Sequence, residues 1–126
     1  MTTIRRFLLA IAAVLAFGGA SQAATLATPF VSVNSGQFLD CFVSNLSKKP
    51  ATVTVTLFDP NGGARTPNSD TCNGSPLAPG ASCGVELPAG IGGRCVVVAN
   101  TGKTRAGINV IGPSTFPLVT VVPATK

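Results

Sequence analysis

The chain contains no histidine, tryptophan or tyrosine, and charged residues make up only 10% of its 126 positions. Without histidine it cannot form a Ser–His–Asp relay or a Cys–His dyad. Nucleic-acid binding needs a concentrated basic face, and here the basic residues are scattered along the sequence and form no cluster interleaved with aromatic residues. These absences argue against an enzyme and against a nucleic-acid partner. The surface is expected to consist mainly of Thr, Ser, Gly and Asn.

The first 23 residues have the order of a secretory signal peptide. Two arginines precede an apolar run over residues 7–17, and small residues follow it. A membrane-spanning helix needs about 20 apolar residues, so this run is too short to be one. We therefore expect a signal-peptide helix over 1–23, cleavage between Ala23 and Ala24, and a single mature domain over 24–126. No transmembrane segment is expected after signal removal.

The mature part has no helical apolar periodicity, but it contains short alternating runs separated by Gly, Pro, Asn and Asp. This pattern is typical of an all-β sandwich or barrel. In the clearest run, Val53, Val55 and Leu57 alternate with threonines, so one face meets the core and the other meets water. Strands are predicted over 26–33, 37–46, 51–58, 81–87, 94–99, 104–111 and 116–122. The Gly- and Pro-rich stretch 62–79 is predicted to be a long surface loop with room for a short edge strand.

Residues 100–103 are predicted to form a hairpin loop between the two strands that flank them. In that register Cys95 would face Ile108, and Val97 would face Ala106, across one ladder. All four side chains would then lie on one apolar face, as a half-buried hairpin requires.

The four cysteines, Cys41, Cys72, Cys83 and Cys95, all follow the leader, and in an oxidising compartment the cysteines of a small domain usually pair. Three connectivities are possible. Cys41 and Cys95 both lie on predicted strands and face the core, which suits a bridge between the sheets of an immunoglobulin-like sandwich. Cys72 lies in the long loop and Cys83 begins the next strand. We favour Cys41–Cys95 with Cys72–Cys83. Irregular spacing without histidine makes a metal site unexpected, and no cofactor is expected.

Five segments together resemble small exported bacterial proteins with an immunoglobulin-like β-sandwich. They are Cys-Phe-Val-Ser-Asn-Leu-Ser-Lys-Lys-Pro-Ala-Thr-Val-Thr-Val (41–55), Asp-Pro-Asn-Gly (59–62), Leu-Ala-Pro-Gly (77–80), Arg-Cys-Val-Val-Val (94–98) and Arg-Ala (105–106). The similarity covers most of the mature chain and its motifs are structural. It implies the fold and export but no activity, since such proteins carry no assigned chemistry. The chain lacks the core tryptophan of antibody-type domains.

The acidic residues are the remaining candidates for chemistry. Asp40, Asp59, Asp70 and Glu86 could supply paired carboxylates, and Asp59, Asn61 and Asp70 could supply oxygens to calcium. Asp59 and Asp70 fall in predicted turns, where aspartate normally accepts hydrogen bonds from the backbone. We therefore expect turn capping and no catalytic or metal site.

Two surfaces are candidates for binding. Arg94, Lys103 and Arg105 are expected close together near the 100–103 loop, where they could meet an anionic polysaccharide or envelope surface. The terminal runs 26–33 and 116–122 could pair with another chain by strand addition.

The sequence thus predicts an all-β, immunoglobulin-like sandwich of about seven antiparallel strands. The expected function is that of a non-catalytic exported protein, periplasmic or extracellular, acting as a structural or interaction module with an unknown protein or polysaccharide partner. Two alternatives remain. One is a fibre or pilus-type subunit that self-associates through its terminal strands. The other is a small secreted ligand-binding protein or inhibitor that presents the 62–79 loop.

Overall fold

In a computed structural model of the chain, the structure describes residues 23–112 and 120–123. The expected signal helix and part of the last predicted strand lie outside these ranges. The described part is all-β, and it contains no helix that could cross a membrane. Its strands are β1 (Ala24–Ala27), β2 (Phe38–Asn45), β3 (Val53–Phe58), β4 (Ala64–Arg65), β5 (Ser69–Asp70), β6 (Ser82–Glu86), β7 (Arg94–Ala99), β8 (Thr104–Ile111) and β9 (Thr120–Pro123).

The strands form two antiparallel sheets with the orders β1-β7-β3-β4 and β5-β6-β2-β8-β9. Alternate residues of β2, β3, β6 and β7 are buried, as the alternating sequence predicts, and they meet in one core between the sheets. The result is a β-sandwich. Within the described residues it has nine strands where about seven were expected, because β4 and β5 are two-residue strands within the predicted 62–79 loop.

Two disulfides stabilise the sandwich, with the pairing that the sequence favoured. Cys41 of β2 and Cys95 of β7 are fully buried and join the two sheets, with a Cα–Cα distance of 6.3 Å. Cys72 and Cys83, with a Cα–Cα distance of 5.0 Å, fasten the 62–79 segment to β6. Both distances lie within the usual range for disulfides.

The predicted hairpin between β7 and β8 is wrong. Cys95 faces Leu57 of β3, and Ile108 faces Cys41 of β2, because β7 and β8 belong to different sheets. The 100–103 segment crosses from one sheet to the other. In both strands buried residues alternate with more exposed ones over most of their length, so the sequence pattern fits a hairpin within one sheet as well as two strands in different sheets.

The first strand ends earlier than predicted. Thr28, just after β1, still bonds Cys95 of β7 through its N–H at 3.0 Å and its hydroxyl at 2.9 Å. Beyond Pro29, Val31 exchanges two backbone hydrogen bonds with Gly93, the residue before β7, at 2.8 and 2.9 Å. A side chain at Gly93 would meet the carbonyl oxygen of Phe58 at 2.5 Å, so this crossing requires glycine.

Candidate functional site

Asp59 caps the turn that ends β3. Its Oδ1 accepts hydrogen bonds from the backbone N–H groups of Asn61 and Gly63, both at 2.9 Å, and its Oδ2 lies 2.8 Å from the Arg65 guanidinium. The Gly63 hydrogen bond is the main cause that holds the pKa of Asp59 below its ordinary value; burial opposes it, and Asn61 and Arg65 add to it. Both oxygens of this carboxylate are therefore used by the protein.

Asp70, the last residue of β5, caps the separate turn that follows this strand. It accepts hydrogen bonds from the backbone N–H groups of Cys72 and Asn73, both at 2.9 Å, and from the Asn73 side chain. Burial raises the pKa of Asp70, but these hydrogen bonds together outweigh it and keep the pKa below its ordinary value. Nowhere in residues 23–112 and 120–123 do three or more His, Cys, Asp or Glu side chains come together.

The other two acids are neighbours, which the sequence did not predict. The β2–β6 register puts Asp40 opposite Glu86, while Asn109 of β8 flanks Asp40 on the other side. Burial raises the pKa of Asp40, the Asn109 hydrogen bond opposes the rise, and the negative charge of Glu86 adds to it. The pair lies on the outer face of a sheet and lines neither of the two grooves described below.

The wild type is expected to lose stability as pH rises through the pKa of Asp40, and Asp40→Asn is expected to abolish this loss. Because folding raises this pKa above 3.8, folding favours the protonated carboxyl. The contribution of Asp40 to stability is fully present below pH 3.8, and it is lost as pH rises through the pKa that Asp40 has in the folded protein. Asp59 and Asp70, with lowered pKa values, act in the opposite direction and are present in both proteins.

Urea unfolding from acid to neutral pH checks this expectation. The free energy of unfolding of Asp40→Asn should rise relative to that of the wild type as pH increases. Glu86→Gln, which removes the smaller repulsive contribution, should give a weaker change of the same sign. A difference between Asp40→Asn and wild type that does not vary with pH would contradict the expectation.

A groove of about 450 Å³ opens at one end of the sandwich. It lies between the β2–β3 connection, which carries Lys48 and Lys49, and the β7–β8 connection, which carries Lys103. All three lysines are exposed. The hydroxyl-bearing residues Ser47 and Thr101 also line the groove. We call it the lysine groove; it offers the lysine ammonium groups and the Thr101 hydroxyl as donors to an anion, whereas the Ser47 hydroxyl already donates to the carbonyl of Lys49.

The acids of the chain lie far from the lysine groove. Asp40 is five residues before the groove end of β2, and Asp59 follows the opposite end of β3. At about 3.4 Å per residue these separations are about 17–20 Å, roughly twice the Debye length of about 8 Å at physiological salt. The positive potential of the groove is therefore not neutralised by the protein's own acids. Arg105, exposed and opposite Ser44, adds to it at the same end.

The predicted cluster of Arg94, Lys103 and Arg105 is wrong in one member. Arg94 begins β7, opposite Phe58, and its guanidinium lies 5.6 Å from the centre of the Phe58 ring. Lys103 lies beyond the other end of β7. The predicted hairpin placed Lys103 beside Arg94. In the structure Lys103 instead lines the same groove as Lys48 and Lys49 of the β2–β3 connection.

Asn45 holds the β2–β3 connection in place. Its side chain is fully buried, and its Nδ2 donates to the carbonyl oxygens of Lys49, Leu77 and Ala78 at 2.9, 2.9 and 3.3 Å. Its Oδ1 accepts a hydrogen bond from the backbone N–H of Ser47 at 2.9 Å. One amide thus joins the lysine-bearing connection to the 77–80 turn.

The sequence contained one signal for this residue. Asn45 ends an alternating strand and precedes a polar turn, a position where the asparagine side chain often hydrogen-bonds the backbone two residues later. The lysine groove had no comparable signal, because Lys103 is distant in sequence from Lys48 and Lys49.

No protein-family model, curated protein or solved structure matches the chain.

Proposed function

We propose that the chain is a non-catalytic exported protein of the bacterial envelope or extracellular space, and that it acts as an interaction module whose lysine groove binds an anionic polysaccharide. The observation that carries this proposal is the grouping of Lys48, Lys49 and Lys103 around one groove with no acid nearby. Lysine side chains are flexible and can adjust to the irregular spacing of charges along a polysaccharide. Because the polymer carries many charges, it can contact several lysines at once.

Two further observations support this proposal. The two disulfides are consistent with an oxidising, exported location. In the described residues, both terminal strands are already paired within the chain, β1 with β7 and β9 with β8. A fibre subunit completed by a donor strand would leave a gap in a sheet, so this pairing favours the interaction module over the fibre subunit.

We also propose that the sandwich is a variant of the immunoglobulin-like fold. The bridge from Cys41 to Cys95, 54 residues apart, joins β2, the second strand of the chain, to β7 in the other sheet, as the bridge of that fold joins strands B and F. The pairs β2–β6 and β3–β7 correspond to its B–E and C–F pairs. The outer strands differ, since β1 lies beside β7 and β8 lies beside β2.

Changing all three groove lysines to glutamine is expected to weaken binding to polygalacturonate about tenfold, because three exposed charge contacts contribute about 0.5 kcal/mol each. Titration calorimetry at low and physiological salt measures it, with neutral dextran as the ligand control. Binding by the wild type should weaken with added salt, and the triple variant should lose most of this dependence.

The matched control compares single changes at opposite ends of the sandwich. Lys103→Gln and Arg94→Gln each remove one positive charge, so both lower the net charge equally. Only Lys103→Gln should weaken polygalacturonate binding. Equal weakening by both variants would mean that net charge and not the groove attracts the polymer, and the proposal would be abandoned.

A further inference from the structure

The exposed edge of β3 contains an unusual break. Along this strand the backbone groups of successive residues point alternately toward β7 and away from it. Thr52 points toward β7: its carbonyl accepts from the Asn100 N–H at 3.1 Å, and its N–H donates to Asn100 Oδ1 at 3.0 Å. The N–H and C=O groups of Ala51, Val53 and Val55 therefore point to the opposite edge.

Two of these three edge positions are filled by the segment 73–77. Leu77 exchanges two backbone hydrogen bonds with Ala51, at 2.9 and 2.8 Å. Asn73 fills the other position with its side chain: Oδ1 accepts from the Val55 N–H at 3.0 Å, and Nδ2 donates to the Val55 carbonyl at 3.2 Å. A primary carboxamide thus pairs with a β-strand edge as another strand would.

The middle position, Val53, receives no such partner from the segment. A regular antiparallel strand would put Ser75 opposite Val53, but among the described hydrogen bonds none joins the two residues. Gly74, with a φ of 109°, leads the chain away from the edge. A groove of about 380 Å³ opens there, bordered by Val53 and by the hydroxyl-bearing residues Thr52, Thr54 and Ser75. Val53 as a whole is only 3% exposed because its side chain is in the core, and its outward-pointing N–H and C=O border the groove.

We propose that this groove, which we call the edge groove, binds a primary carboxamide. The N–H of Val53 donates to the ligand's carbonyl oxygen, and the ligand's N–H donates to the carbonyl of Val53, as Asn73 does at Val55. A secondary trans amide points its N–H and C=O in opposite directions and cannot make both bonds. A carboxylate lacks the donor altogether.

The dimensions of the gap limit what can enter. The segment is bonded on both sides of it, at Asn73 and at Leu77, and the Cys72–Cys83 disulfide fastens the segment to β6. An added β-strand would have to displace these contacts, whereas a single carboxamide fits between them. The ligand is therefore the side-chain amide of an asparagine or glutamine in a partner, or a small free carboxamide. This site is separate from the lysine groove and does not depend on it.

Titration of the ¹⁵N-labelled, disulfide-bonded protein with propionamide tests the proposal by NMR. The Val53 amide resonance should shift and saturate with a dissociation constant on the order of 10 mM, which is well within the ceiling for a ligand of so few atoms. Propionate and N-methylpropionamide should leave it nearly unchanged. No movement of this resonance with propionamide, or equal movement with propionate, would overturn the proposal.

A tetrapeptide that contains one glutamine, compared with propionamide, identifies the source of the carboxamide. Tighter binding of the tetrapeptide indicates a polypeptide partner, and similar binding of both ligands indicates a small amide. Ser75→Phe, which fills the edge groove from its exposed side, should abolish the shift. Ser35→Phe changes an exposed serine outside the edge groove and should not. Propionamide binding that survives in Ser75→Phe would place the ligand elsewhere and contradict the proposal.

Discussion

Replacing Cys41 and Cys95 together by alanine is expected to lower the free energy of unfolding by about 4 kcal/mol, and replacing Cys72 and Cys83 by about 3 kcal/mol. The difference follows from the loops that the bridges close, which span separations of 54 and 11 residues. A longer closed loop removes more conformational freedom from the unfolded chain. Because domains of this size are usually stable by about 5–15 kcal/mol, loss of the longer bridge is expected to remove between about a quarter and four fifths of the stability.

Urea unfolding of the wild type and both double variants measures these differences. Wild-type protein treated with a thiol reductant in denaturant and then refolded provides a comparison without mutation, and it should be less stable than either double variant. Equal stability of the oxidised and reduced wild type would contradict the structural role of both bridges.

Asn45→Ala is expected to cost about 3 kcal/mol, the largest effect of any single polar substitution that we predict. The change removes four hydrogen bonds made by a fully buried side chain, each of which contributes about 0.5–1.5 kcal/mol. The Ser47 N–H loses its partner, whereas the Lys49 and Leu77 carbonyls each keep one other donor. Asn68→Ala is the control. Asn68 is exposed and its side chain makes one hydrogen bond, to Glu86, so the loss should be within about 0.5 kcal/mol.

A second readout separates the two roles of Asn45. Because Asn45 positions the connection that carries Lys48 and Lys49, the folded variant should also bind polygalacturonate more weakly than Asn68→Ala does. Chemical denaturation of both variants gives the stability difference, and calorimetry on the native proteins gives the binding. Similar stability of the two variants would mean that water replaces the Asn45 hydrogen bonds without cost.

The strand pattern and the Cys41–Cys95 pairing could be predicted because both depend on alternation within a strand, and Cys72 with Cys83 was then the pair that remained. Cys41 and Cys95 occupy inward positions, and a one-residue shift would have turned either to solvent. The sheet to which each strand belongs could not be predicted in this way. An alternating strand such as β8 has one apolar face in either sheet, and its choice of β2 over β7 depends on how the whole sandwich closes.

The candidate sites escaped prediction for the same reason. The lysine groove exists only because the β2–β3 and β7–β8 connections both cross between sheets at one end, which the hairpin model excluded. The edge groove depends on the path of the 73–77 segment, whose composition indicates a loop but not its position. Asn45 fell inside the predicted strand 37–46, and its role could not be predicted because its burial depends on contacts with residues from two separate turns.

The separation of β7 from β8 also affects how fast the chain can fold. The long strands pair mostly with distant partners: β1 with β7, β2 with β8, and β3 with β7. Few pairs of long strands can form a local hairpin to begin the process, so large loops must close before much surface is buried. Proteins dominated by such non-local pairing fold in about milliseconds to seconds. The chain therefore spends a comparatively long time with unpaired strand edges, and oxidation of Cys41 with Cys95 during this period would fix the two sheets face to face.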